Sequence, residues 1–271
     1  MKKKDEKAYF NDQWNEMVIH LKAFIKTGDQ EKLHLFRVQV KKLRAMLELL
    51  DINSTNHPLS KDFKPVRKIF KHCGEIRNAF INLQYGQRFQ FKNEDFFMSH
   101  LYEIEKGTNE VKELGKQYLK TIKATHDEIG DDLRSVDDRA IVEFYKAKLY
   151  NIAAALDNLQ FNDELHDTRK QIKTLVYNRK IAHDALDGKL QISNDYLDKL
   201  QAMIGEWHDN ILALELFSSA GFNSKPVISR IKSQNTRLKR SITALAHDFE
   251  KKAILAGKIN RHQQKENGSR N

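Results

Sequence analysis

The sequence has few residues that interrupt helices or cross-link a chain. It contains 11 glycines and 3 prolines in 271 residues, which favours long uninterrupted elements over many tight turns. Its single cysteine, Cys73, excludes an internal disulfide framework and predicts a reducing, cytoplasmic environment. No apolar run approaches the ~20 residues of a membrane-spanning helix. No apolar segment follows the lysines of MKKKDEKAYF, so neither a membrane span nor a signal peptide is predicted.

Acidic residues are also too few to balance the basic ones. The chain has 47 Lys and Arg against 37 Asp and Glu, which gives a net charge of +10 at pH 7. Such an excess favours a polyanionic partner, namely nucleic acid, an anionic membrane surface or a phosphate polymer. We find no glycine-rich phosphate loop, no metal-spaced Cys/His cluster and no nucleophile elbow. The sequence therefore predicts no cofactor and no metal site.

Apolar residues recur at every third or fourth position, which is the spacing of one helix face. Such stripes run over 10–24, 33–50, 66–80, 101–122 and 227–249. Polar stretches rich in Gly, Pro, Asn and Asp, such as EIGDDLRSVDD and ALDGKLQISND, separate about eight helices. No segment alternates with the period of a strand, so the predicted fold is all-α.

Two separate motifs occur twice at nearly the same offset. In LHLFRVQVKKLR, a histidine, an arginine and a lysine follow the spacing i, i+3, i+7, and ELHDTRKQIK repeats this spacing 132 positions later. CGEIRNAFINL likewise matches IGEWHDNILAL, 131 positions further on. These matches indicate an internal repeat. We predict one domain over 1–271, with four-helix repeats at 8–130 and 139–257 and a disordered tail at 258–271.

The first repeated motif places its cations on one side of a helix and its apolar residues on the other. At 100° per residue, His34, Arg37, Lys41 and Arg44 form a ridge about 15 Å long, with Lys42 at its edge. A stripe of charge on a helix is usually only a solvated face, and the lysines between Lys112 and Lys123 fit that reading. Solubility does not require the same residue types at the same spacing twice, so the repeat favours a function for the ridge.

Other predicted helices carry further cations. Arg67 and Lys71 share a face of the third helix with Gly74, where the missing Cβ allows another helix or a ligand to approach closely. Arg230 and Arg237 flank the apolar stripe of the last helix. The ridge carries no aromatic side chain for stacking on bases, so an inorganic phosphate polymer fits it better than RNA or DNA. Nucleic acid stays the less favoured partner.

Five His-Asp dipeptides support an alternative hypothesis. They are typical of all-α, metal-dependent phosphohydrolases, which would act here on phosphate polymers or nucleotides, but two residues do not define a metal site. His34 and His166 lie on the basic ridge, where we expect them to hydrogen-bond phosphate oxygens, as imidazolium where charged. The repeated pairs Glu75/Glu206 and Asn78/Asp209 are candidate acid–base groups, although positioning of neighbouring Lys and Arg side chains is the favoured interpretation.

The two His-x-x-Arg-x-x-x-Lys motifs, followed by GEIRN and GEWHD, resemble the CHAD family (conserved histidine α-helical domain) over roughly Tyr9 to Ala256. This resemblance implies two pseudo-symmetric four-helix bundles with a basic groove or channel between them. It also implies binding of inorganic polyphosphate without catalysis, hence a non-enzymatic protein of the cytoplasm that associates with polyphosphate granules. Thr174 and Val176 replace basic residues usual in the family, and Asn78 replaces an acidic one.

The residues that match the family motif and the further cations together give the predicted polyphosphate-binding set. Its members are His34, Arg37, Lys41, Lys42, Arg44, Arg67, Lys71, His166, Arg169, Lys173, Arg230 and Arg237. No catalytic residue is predicted.

Overall fold

A computed structural model describes residues 3–52, 54, 57–219 and 221–255. These residues form eleven helical segments and no strand; one isolated antiparallel bridge joins Ile192 and Ile254. The segments are α1 (Lys3–Thr27), α2 (Gln30–Leu50), α3 (Leu59–Asp62), α4 (Lys64–Arg88), α5 (Glu94–Glu113), α6 (Gly115–Asp132), α7 (Asp138–Asp157), α8 (Asp163–Leu186), α9 (Asn194–Ser218), α10 (Lys225–Ala246) and α11 (Phe249–Ala253). The all-α prediction is confirmed. The predicted tail at 258–271 lies outside the described residues.

Local sequence signals explain where the motif helices begin. Gly28, at φ 73°, adopts a left-handed conformation that ends α1, and Asp29 then caps α2 by accepting a hydrogen bond from the Glu31 amide at 2.8 Å. In the second half, Asn162 caps α8 by accepting from the Glu164 amide at 3.0 Å. Both ridge helices therefore start at an Asx cap, a few residues before their first histidine.

The packing of the helices follows the internal repeat. In the first half, α1 packs on α2, α2 on α4, and α4 on α5, while α6 closes back onto α1. In the second half, α7 packs on α8, α8 on α9, and α9 on α10, while α11 closes back onto α7. Contacts between the halves run through α2 with α8 and α4 with α9. The ridge helices of the two repeats thus meet at the centre of the molecule.

The described residues form eleven helical segments rather than about eight, because two long stripes are interrupted and the short α3 precedes α4. The stripe over 101–122 is divided at Leu114, which is 37% exposed, and Leu101 on the same stripe is 50% exposed. Gly115 follows the break and lies close to the side chain of Ile25. The last stripe is divided at Asp248, which has a φ of 55°. In the described part of the chain, no helix is long and apolar enough to cross a membrane.

Candidate functional site

Arg37 reaches from α2 onto the neighbouring helix α4. Its Nη1 donates a hydrogen bond to the backbone carbonyl oxygen of Phe70 at 2.6 Å, and its guanidinium carbon lies 4.0 Å from the centroid of the Phe70 ring. A Cβ at Gly74 would lie 2.7 Å from that same Nη1. The glycine is therefore required for this contact, since any larger side chain would displace the guanidinium.

The second repeat contains the same contact. Nε of Arg169 donates to the carbonyl oxygen of Gln201 at 2.9 Å, and a Cβ at Gly205 would lie 2.6 Å from its Nη2. Gln201 and Gly205 follow Phe70 and Gly74 by 131 positions. The close approach expected at the repeated glycine is thus made by an arginine of the ridge. The spacing between the two motifs is the same in both repeats for a physical reason. The first motif supplies the arginine, and the second supplies the glycine against which the guanidinium packs.

A cavity of about 740 Å³, here called the large cleft, lies between α2, α8 and the start of α4. Seven basic side chains line it together with His166: Lys41, Arg44, Arg67, Lys148, Arg169, Lys170 and Lys173. Its wall also includes Pro58, Ser60 and Phe63 from the α3 region. The large cleft therefore combines cations from both repeats.

A second cavity of about 470 Å³, here called the small cleft, lies between α2, α4 and α9. His34, Arg37, Lys41, Arg77 and Arg88 line it. Lys41 lines both clefts, so the two cavities adjoin at this side chain. His34 lines the small cleft and His166 lines the large cleft, so the two ridge histidines lie in adjoining cavities.

Four members of the predicted set line neither cavity: Lys42, Lys71, Arg230 and Arg237. Lys42 is rotated by 100° around α2 from Lys41, which turns it away from the clefts. Nη1 of Arg230 donates to the carbonyl oxygen of Phe89 at 2.9 Å, and so satisfies the backbone at the end of α4.

Several cleft residues were missed by the sequence analysis. Arg77 and Arg88 lie on the same face of α4 as Gly74, three and fourteen positions further along, so extending that face by a few turns predicts both. Lys170 adjoins a ridge residue on α8. Lys148 reaches the large cleft from α7, and no repeated motif marks it.

Acidic side chains compensate only part of this positive charge. Lys148 pairs with Glu48 at 2.6 Å, and Lys170 pairs with Asp167 at 2.7 Å. Within the described residues, no ion pair is formed by the cleft cations Lys41, Arg44, Arg67, Arg77 and Lys173. Basic side chains thus outnumber acidic ones in both clefts, where Glu48, Asp51 and Asp209 are the acidic lining residues.

Burial and neighbouring positive charges lower the pKa values of two cleft lysines. Burial, followed by the charges of Arg37 and Lys173, lowers the pKa of Lys41 to about 8. Burial and the charge of Arg169 lower the pKa of Lys173 to about 8 as well. Lys41 is nevertheless exposed to solvent, and its side chain lines both clefts. An anion bound beside these lysines would favour their charged forms.

Burial lowers the pKa of both ridge histidines, which favours the neutral imidazole in the protein alone. Burial and the neighbouring His208 lower the pKa of His166 to about 4, and the two rings stack with centroids 3.9 Å apart. Burial and the charge of Arg77 lower the pKa of His34. A neutral imidazole can still donate one N–H to a phosphate oxygen.

One of the repeated acidic positions, Glu206, holds a basic side chain in place. Oε1 of Glu206 accepts a hydrogen bond from Nη2 of Arg88 at 2.8 Å, across the contact between α9 and α4. Asp209 lies in the small cleft, where burial raises its pKa. Positioning of a basic side chain, the favoured interpretation of this pair, is what Glu206 does.

The His-Asp dipeptides do not assemble a metal site in the described part of the chain. One group of His, Cys, Asp and Glu side chains there could share an ion, namely His57, Asp62 and Asp132. None of the three belongs to a His-Asp dipeptide. His126, for example, contacts Asp127 at 3.2 Å and Asn11 at 3.0 Å.

Comparison with known proteins agrees with this geometry. Residues 111–218 match the family model of the CHAD domain. The crystal structure of the CHAD domain from the plant Ricinus communis superposes with a TM-score of 0.63 at 16% sequence identity, covering 90% of this chain and 91% of that chain. No curated protein matched the sequence. The resemblance indicated by the repeated motifs is therefore confirmed over residues 111–218, and the fold of the chain is similar to that of a CHAD domain.

Proposed function

We propose that this protein binds inorganic polyphosphate in its two adjoining clefts and does not transform it. The observation that supports this function is the convergence of cations without ion-pair partners on α2, α4 and α8. Isolated like charges of this kind are unfavourable unless an anion joins them. The resemblance to the CHAD family implies the same ligand.

The shape of the charged surface favours an extended anion over a single phosphate. Arg67 lies in the large cleft and Arg88 in the small one, and they are separated by 21 residues of α4. At 1.5 Å per residue, this spacing corresponds to about 30 Å along the helix. A chain of phosphates can contact cations along that whole distance.

Nucleic acid is less well matched because the clefts offer no free aromatic face. Phe63 is completely buried, and Tyr85 is 6% exposed. Tyr177, in the large cleft, has the ammonium group of Lys173 at 5.0 Å from its ring centroid. Base stacking, which contributes strongly to single-strand binding, has no platform there.

A competition experiment tests this proposal directly. Long-chain polyphosphate, RNA and DNA are compared for binding at one salt concentration and matched phosphate concentration. We expect polyphosphate to bind most tightly, and tighter binding of RNA, or of one base sequence, would overturn the assignment.

The non-catalytic part of the proposal has a separate test. Phosphate release from polyphosphate is measured with and without added Mg²⁺ or Mn²⁺. We expect none above a protein-free blank, whereas metal-dependent release would support the phosphohydrolase hypothesis. A cytoplasmic location at polyphosphate granules is the corresponding cellular expectation, and imaging of a tagged chain in cells with and without polyphosphate would check it.

A further inference from the structure

Three potential metal ligands gather at a point outside both clefts. His57 precedes α3, Asp62 ends α3, and Asp132 ends α6. One ligand atom from each residue lies within 4.8 Å of the corresponding atoms of the other two. None of them lines the large or the small cleft. This group is therefore independent of the polyphosphate site.

Asp62 is a largely buried carboxylate that forms no ion pair with a Lys or Arg among the described residues. Its side chain is nine-tenths buried, and its Oδ2 has no hydrogen-bond donor in the described part of the chain. The ion-pair contact found for this oxygen is with Nδ1 of His57, at 3.3 Å, and His57 is itself a member of the group. A buried carboxylate is costly unless a positive charge accompanies it.

Asp132 occupies an unfavourable position on its own helix. The last turn of α6 carries Asp131 and Asp132 and no basic residue. The carboxyl end of a helix bears partial negative charge, so cations stabilise it and carboxylates oppose it. A metal ion bound at Asp132 would offset the repulsion between its carboxylate and the negative end of α6.

The segment that carries the other two ligands is held by its own hydrogen bonds. Ser54 Oγ donates to the carbonyl oxygen of His57 at 2.8 Å. The carboxylate of Asp51 accepts from the amides of Leu59 at 2.7 Å and Ser60 at 3.0 Å. These hydrogen bonds hold the backbone at His57 and at the first two residues of α3.

We propose that His57, Asp62 and Asp132 bind one divalent transition-metal ion, of the class of Zn²⁺ or Mn²⁺. Two carboxylates neutralise its charge, and an imidazole ligand favours these ions over Mg²⁺. Three protein ligands leave further coordination positions for water. The ion fastens α3, next to the wall formed by Ser60 and Phe63 in the large cleft, to the end of α6.

Calorimetric titration of the tag-free full chain, stripped with a chelator and free of polyphosphate, tests the site. ZnCl₂, MnCl₂ and MgCl₂ are the probes. We expect saturable binding of one Zn²⁺ or Mn²⁺ per chain, with Mg²⁺ much weaker. Asp132→Asn and Asp62→Asn should each weaken that binding by at least about tenfold. Zn²⁺ should raise the melting temperature of the native protein and not that of Asp132→Asn.

His183→Ala is the matched control, because it removes an exposed imidazole that lies 3.1 Å from the carboxylate of Asp184. It should leave the titration unchanged. Asp132 is exposed, so we expect its variant to fold. The test therefore stays decisive even if Asp62→Asn fails to fold. Absence of saturable binding by both transition metals would overturn the proposal, as would equal affinity of the native protein and Asp132→Asn.

Discussion

Arg37 and Arg169 each join two helices as well as facing a cleft. Helical spacing places their side chains on the ridge, away from the apolar stripe. The structure shows in addition that each guanidinium donates to a carbonyl oxygen of the next helix, over a glycine. Removing either arginine therefore removes packing between helices together with a cation of the clefts.

Gly74→Ala separates these two roles of Arg37. The added methyl group should push the guanidinium off Phe70 while the positive charge stays at the small cleft. We expect Arg37→Ala to weaken polyphosphate binding by about 1.5–3 kcal/mol, the usual contribution of a charged hydrogen bond. Gly74→Ala should weaken it less. Affinity and thermal melting of both variants provide the measurement, and equal losses of affinity would show that position matters as much as charge.

Polyphosphate binding should depend on pH through Lys41 and Lys173. Both have a pKa of about 8 in the protein alone. A bound polyanion raises these pKa values, so binding takes up protons and affinity falls as pH rises through 8. Below pH 7 both lysines are already charged, so their contribution to affinity is constant there. Titrations from pH 7 to 10 should show this decline, and Lys41→Arg should delay it because arginine stays charged.

Single residues also show how far sequence reasoning reaches. The repeat predicts Arg37, Lys41, Arg169 and Lys173, because helical spacing alone sets the face of a side chain. Lys42 illustrates the limit. Lys41 and Lys42 are neighbouring residues of the same type, but a rotation of 100° around the helix turns Lys42 away from the cleft. Lys148 joins the site through the packing of α7 on α8, which no local pattern encodes.

At the scale of helices, one buried polar contact joins the two ridge elements. Nδ2 of Asn178 on α8, which is completely buried, donates to the carbonyl oxygen of Ala45 on α2 at 2.7 Å. Hydrophobic stripes could slide along one another, whereas this hydrogen bond is satisfied in one register. The predicted all-α fold follows from periodicity, but the register of α2 on α8 depends on this long-range pair.

Asn178→Ala should therefore destabilise the protein by about 1–3 kcal/mol, because it leaves a cavity and removes a buried hydrogen bond. Urea unfolding monitored by circular dichroism measures this change. Thr174→Ala, a half-exposed position on the same helix whose hydroxyl contacts Glu48 at 3.4 Å, should change stability by less than about 0.5 kcal/mol. A similar loss for both variants would mean that general packing, rather than this pair, sets the register.

At the scale of the whole molecule, the cations that line the clefts would favour the proposed function but oppose folding. The net charge of +10 is not spread evenly, since the unpaired cations of α2, α4 and α8 face one another across the clefts. Their mutual repulsion opposes folding, and binding of the proposed polyanion would relieve it. The hydrophobic core formed by both halves holds these like charges together.

Lys41→Met tests this opposition, because Lys41 lines both clefts and has Arg37, Lys173, Arg169 and Arg44 as its charged neighbours. Its pKa lies below the usual value, so the protonated form opposes folding at pH 7. Methionine keeps the length of the stem and removes the charge. After allowance for solvent screening, we expect stabilisation of about 1 kcal/mol. That gain corresponds to a rise of about 2–4 °C in Tm at low salt, which shrinks as salt is added.

Polyphosphate affinity should fall in the same variant, and the slope of log affinity against log salt should become shallower. Lys42→Met, one residue away and outside both clefts, should change neither quantity by much. A Lys41→Met protein that melts lower than the native chain while binding equally well would contradict both the site and the repulsion that it explains.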